Sequence, residues 1–208
     1  MARISQPVDN PRPALAGGRT DGWRHWWPLL LGPAAMGFVY LAYFFPETGL
    51  CDGKACRDGY LSKSRLENAG VVLIAIVLGA NAVRYYVRRN PVHLVFGALA
   101  LAFVCREVHF TGTSSGVYVA LVLIGAWVFL WRRKLAPSLF VRTFRVWLGS
   151  TAVTYVLSQL IARRVFRKLN LPYEDAVNVP LEELVENVAH VMFLVTSLIG
   201  VSVRSGRK

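Results

Sequence analysis

Apolar positions in this chain come in long blocks, not in stripes of helical or strand period. WWPLLLGPAAMGFVYLAYFF at 26–45 is the first block. AGVVLIAIVLGANAVRYYV at 69–87 and PVHLVFGALALAFVCREVHF at 91–110 follow, and further blocks occupy 113–131, 146–162 and 181–203. A block of about 20 apolar residues matches the hydrocarbon core of a bilayer. Six such blocks predict an all-α, polytopic transmembrane helical bundle, because in lipid each backbone amide has to bond within its own segment. Residues 23–203 then form a single transmembrane domain. Residues 1–22, with prolines, glycines and arginines and no apolar face, read as a disordered basic cytoplasmic tail, and 204–208 as a second basic tail. The first block starts late and runs long for a secretory leader, and it lacks a small-residue cleavage site. WRHWW at 23–27 has the composition of an interfacial belt.

Charge sharpens the threading. The chain carries a net charge of +12 while 54% of it is hydrophobic. In a soluble protein that charge would suggest nucleic acid. Here the basic residues fall in short runs between blocks, such as Arg88–Arg89, Arg132–Arg133–Lys134, and Arg142 with Arg145. With the N-terminus inside, inner segments hold 15 Lys and Arg and outer segments hold 8. The bias puts both termini in the cytoplasm of a bacterial inner membrane. The lipid bilayer is the expected partner, and nucleic acid is not, since no aromatic-interleaved basic face lies outside the spans.

One outer loop, RRVFRKLNLPYEDAVNVP at 163–180, breaks the charge rule. It can be a snorkelling amphipathic segment at the outer headgroups. It can also be an anion site, in which Arg106, Ser158, Arg163, Arg164 and Arg167 hold a lipid phosphate. Cys51 and Cys56, in CDGKAC, suit a periplasmic disulfide, with free thiols or a metal pair as the alternatives. Cys105 reads as an apolar filler.

Polar residues at depth are the informative feature. CREVHF closes the third block and LEELVENVAH opens the sixth, so antiparallel spans bring both to one side of the membrane. Helix rise puts Arg106 ~6 Å and Glu186 ~7.5 Å from that edge, with His190 ~13 Å deep. Glu183, Glu186 and His190 stand at i, i+3, i+7 and share a face; Arg106 and His109 share another. Glu186 is the partner this spacing gives Arg106, because a charge in a span needs one from another helix. In the fifth block Thr151, Thr154 and Ser158 form a polar stripe facing other helices. Glu182 and Glu183 also suit the positive end of a helix dipole. Asn81, Arg84 and Arg88 read as a snorkelling inner face, and His93 lies too far away to join the cluster.

Three functions are compatible with this pattern. Carboxylates and His on two helices can hold a divalent metal, Zn or Fe, through His109, Glu186 and His190. The catalytic set would then be Glu107, Glu183, Glu186 and His190, with Glu107 or Glu183 as general base in the hydrolysis of a lipid or other membrane-borne substrate. No HExxH signature is present, and His109 and His190 are offset by ~12 Å, too far for a bis-histidine haem. Alternatively, the chain is a non-catalytic membrane subunit or assembly factor, bound to another membrane protein, whose buried ion pairs fix helix packing. The third reading is a small proton- or cation-coupled transporter, although Thr196, Ser197 and Ser202 are weak stepping stones.

Overall fold

The computed structural model describes residues 26–44, 62–108, 113–139, 141–166 and 174–199. Cys51, Cys56, His109, Arg167 and both tails lie outside the described residues. A 3-10 turn at Trp27–Leu30 leads into α1 (Leu31–Phe44). Then come α2 (Lys63–Arg88), α3 (Pro91–Glu107), α4 (Thr113–Leu130), the short α5 (Arg132–Leu139), α6 (Arg142–Ala162) and α7 (Glu174–Ile199). The described residues contain no strand. The described residues are all-helical, as the apolar blocks predict.

Among the described residues, one helix, Lys63–Arg88, is long and apolar enough to cross a membrane by length and composition. Trp27–Ala42 and Gly116–Leu130 are apolar but shorter. Six independent spans are therefore more than the individual helices establish. α7 shows why: its 26 residues include Glu174, Asp175, Glu182, Glu183 and Glu186. It begins at Glu174 and runs through Pro180, where the sequence pattern places a start at 181. A proline inside a helix removes one backbone hydrogen bond, and the turns on either side carry the helix past it.

α7 is the hub of the bundle. It packs along α6 and α2, and α1 leans on it from a third side. α3 packs on α2, and α4 on α3. One apolar core, built on Ile74, Val77, Phe96, Phe144 and Phe193, joins α2, α3, α6 and α7. A second, with Val39, Ile161, Val177, Leu181 and Val185, joins α1, α6 and the start of α7.

The α2–α3 reversal is tight. Arg89 takes the left-handed conformation (φ 52°) and its N–H donates to the Tyr85 carbonyl, closing α2. Asn90 then caps α3: its Oδ1 accepts from the Val92 N–H at 3.0 Å, and Pro91 occupies the first turn, where a missing N–H costs nothing. Asn90→Ala is expected to destabilise the fold by about 1 kcal/mol, while Asn90→Ser keeps most of the cap. Thermal melting in detergent measures this. A melt unchanged from wild type would show that the cap contributes nothing.

A polar network ties the end of α7 to α2 and α3. Asn81 Nδ2 donates to Ser197 Oγ and to the Val77 carbonyl, both at 2.9 Å. Asn81 Oδ1 lies 3.1 Å from His93 Nδ1. Arg84 Nη1 donates to the Ser197 carbonyl at 2.7 Å. Arg84, expected to snorkel into solvent, instead satisfies a carbonyl in the last turn of α7, where helix geometry leaves acceptors without partners.

Candidate functional site

The opposite end of the bundle carries the charges. Arg106 projects from the last turn of α3 and Glu186 from the middle of α7. Two guanidinium nitrogens donate to the two carboxylate oxygens: Nη1 to Oε1 at 2.6 Å and Nη2 to Oε2 at 3.0 Å. This fork geometry is the strongest an arginine makes with a carboxylate. The Glu186 side chain is 8% exposed and that of Arg106 27%. α3 and α7 also meet through aromatic rings: Phe96 meets Phe193 edge-on at 5.2 Å, and the rings of Phe103 and His190 are 6.4 Å apart.

Glu107, Glu186 and His190 converge. One potential ligand atom from each lies within 4.8 Å of the others. His190 is fully buried. Its Nδ1 is 2.6 Å from the hydroxyl of Tyr155, which stacks on Phe103 at 4.8 Å between ring centres. Among the described residues His190 Nε2 has no hydrogen-bond partner. If Nδ1 carries the proton and donates to Tyr155, Nε2 keeps a free lone pair; an outer-shell partner of this kind commonly fixes a ligating histidine's tautomer.

Two cavities flank Arg106. The smaller, about 230 Å³, is lined by Glu67, Glu107, Glu182, Glu183 and Glu186 with Lys63 and Arg106. Five carboxylates against two cations make it acidic. The larger, about 740 Å³, lies among α3, α4 and α6 and is walled mainly by aliphatic and aromatic side chains. Arg106, Tyr118, Gln159 and Arg163 line its charged end. Comparison of the chain with known protein families, with curated proteins and with solved structures finds no match. The geometry alone bears on what the site does.

The residues singled out in the sequence separate into three groups. Arg106, Glu107, Glu183 and Glu186 meet around the acidic cavity, and His190 lies deeper on the α7 face. Arg163 and Arg164 are exposed beyond the end of α6, and Arg163 donates to the Tyr118 hydroxyl at 3.1 Å. Ser158, expected to face substrate, is instead fully buried and donates to the Tyr155 carbonyl at 2.9 Å, a helix-internal bond. Thr151 and Thr154 likewise turn toward α7, reaching Thr196 Oγ1 at 3.1 Å and Met192 Sδ at 3.4 Å.

Two side chains at the site escape the sequence pattern. Tyr155 reads as one more apolar-block aromatic; the signal is its place in the Thr151, Tyr155, Gln159 series, which steps by four and lines the large cavity. Asn187 adjoins Glu186 but faces α2, where its Nδ2 donates to the Leu66 carbonyl at 2.9 Å. The run GTSSG at 112–116 also fits the G-x-S-x-G spacing. That spacing marks a nucleophile on a strand-to-helix turn, and no strand exists among the described residues.

Proposed function

We propose that the chain is a multi-pass bacterial inner-membrane protein, threaded six times with both termini in the cytoplasm, whose outward end is a divalent-cation centre that hydrolyses a membrane-borne substrate. The polarity of the bundle supports the membrane placement. Val122 is 71% exposed and Leu130 77%, whereas Asn81, Ser158, His190 and Ser197 are fully buried. Apolar side chains outside and polar ones inside are what a lipid solvent selects, since a polar side chain facing hydrocarbon has nothing to bond to.

The convergence of Glu107, Glu186 and His190 within 4.8 Å carries the functional reading. Two carboxylates and an imidazole suit Zn or Fe, and an acidic vestibule concentrates cations at the mouth. A bound divalent cation supplies an activated water at neutral pH. Glu183, on the vestibule wall, would be the group to take that water's proton. Tyr155 orients His190, and Arg106 holds Glu186 in one rotamer. A binding constellation of this kind depends on such support.

The test is metal analysis of the full chain purified after metal-replete growth, beside Glu186→Ala and His190→Ala. About one equivalent of Zn or Fe in wild type and less than a tenth of that in each variant is expected. Equally negligible metal in all three would remove the main support for a cation centre. A second reading rests on the Arg106–Glu186 fork itself: a clasp between α3 and α7 in a non-catalytic membrane subunit. It predicts loss of stability, not of metal or turnover, when the fork is broken.

A further inference from the structure

The large cavity has a polarity gradient of its own. Along α6 its lining runs from Leu148 to Arg163, ~22 Å of helix. The inner stretch is aliphatic and aromatic, and the two cations, Arg106 and Arg163, stand at the outer end. No Asp or Glu is among the side chains lining it, although the cavity on the other side of Arg106 is rich in them. A volume of about 740 Å³ is that of a small-molecule site.

The outer end has unspent hydrogen-bonding capacity. Gln159 lines the cavity, and its buried Nε2 has no partner among the described residues. A buried amide donor left unpaired is costly, so a turn of the Gln159 amide toward an acceptor in the cavity would be favoured. Arg106 commits two of its five N–H donors to Glu186. Arg163 commits one to Tyr118. Donors on both arginines remain for an anion.

We infer that this cavity is a binding site for one anionic lipid, with an acyl chain along Leu121, Ala152 and Val156 and its anionic headgroup held by Arg106, Gln159 Nε2 and Arg163. Charge complementarity selects this occupant over a neutral lipid or an apolar helix, either of which would leave the remaining donors of Arg106, Arg163 and Gln159 without an anionic acceptor. The site deepens the function proposed above, since it names the substrate class, and Arg106 borders both this cavity and the acidic one. It rests on the membrane placement and not on the cation.

The test is lipid retention by the full chain in nanodiscs, using phosphatidylglycerol and phosphatidylcholine of matched acyl chains as probes, with inorganic phosphate as competitor. One phosphatidylglycerol per chain is expected, with at least a tenfold preference over phosphatidylcholine. Arg163→Gln and Gln159→Leu should each lower that preference, by about tenfold for the charged contact. Ala152→Trp, which fills the cavity, should abolish retention of both lipids, whereas Val153→Trp on the exposed neighbouring face should not. Equal retention of the two lipids overturns the inference. So does retention untouched by Ala152→Trp in a chain that melts normally. Displacement by millimolar inorganic phosphate alone would mark a free-anion site and also overturn it. If Ala152→Trp does not fold, Arg163→Gln on the exposed rim decides. Metal content measured on the same samples separates the two ideas: lipid retention without metal sinks the cation centre and leaves this site standing, and metal without headgroup preference does the reverse.

Discussion

Arg106→Ala is expected to lower the stability of the bundle by about 3 kcal/mol, a fall of about 6–12 °C in melting temperature for a chain of this size. The loss arises less from the missing attraction than from what stays behind. Glu186 is 8% exposed, and without the fork its carboxylate lies buried next to the Glu107 and Glu182 side chains that share its cavity. An uncompensated buried charge is among the most destabilising changes a mutation makes. Arg106→Lys should recover part of the loss, because an ammonium restores the charge but cannot donate to both oxygens in parallel. The combined Arg106→Met, Glu186→Leu change removes both charges and fills similar volume, so stability should return to within about 1 kcal/mol of wild type. Differential scanning fluorimetry in detergent measures all four chains. Failure of the double variant to recover would show that the fork does more than balance charge, and would favour a ligand-linked role for Glu186.

Helical periodicity made the acidic side of this site readable in advance. Glu183, Glu186 and His190 can share a face only on a helix, and two antiparallel blocks with charges at opposite sequence ends have to bring them together. That logic leads to Arg106 opposite Glu186 without knowledge of any loop. It does not lead to Tyr155 or Asn187. Both choices depend on helix rotation, which apolar blocks do not encode: a block that is apolar on every face does not point to the core. The stripe Thr151, Thr154, Ser158 illustrates the consequence. Its polarity correctly signals an inward face, but Thr154 and Ser158 turn away from the large cavity, and Thr151 alone of the three both borders it and reaches α7. Helix ends were obscured for a different reason. α2 begins at Lys63 and α7 at Glu174, both well before their apolar blocks, because polar turns continue a helix that the blocks have nucleated.

Arg106 is where these observations join. It borders an acidic cavity on one side and an apolar, acid-free one on the other. An arginine in that position can neutralise the first while presenting donors to the second, and its five N–H groups allow both at once. Clasp and ligand site are therefore not exclusive structures. The fork fixes the wall that separates the two cavities, and the geometry of either one depends on it.

Gly70→Val should disrupt the bundle, and the cause is its contact with α7. A Cβ at Gly70 would lie 3.1 Å from Asn187 Oδ1 and 3.8 Å from His190 Nε2. Asn187 cannot yield freely, because its Nδ2 is bonded to the Leu66 carbonyl one turn earlier on the same helix. A valine would force α2 outward or rotate the Asn187 amide away from Leu66. Overpacking and the lost buried hydrogen bond together should cost about 3 kcal/mol. His190 would shift with the helix contact, so metal content should fall alongside stability. Gly79→Val is the matched control: it lies on the same helix, meets nothing within 4 Å, and carries the same β-branched helix penalty. The expected result is a melting temperature near wild type for Gly79→Val and about 6–12 °C lower for Gly70→Val. Equal melts for the two variants would mean that α2 does not approach α7 closely at Gly70, and the enclosure of His190 by α2 would have to be abandoned.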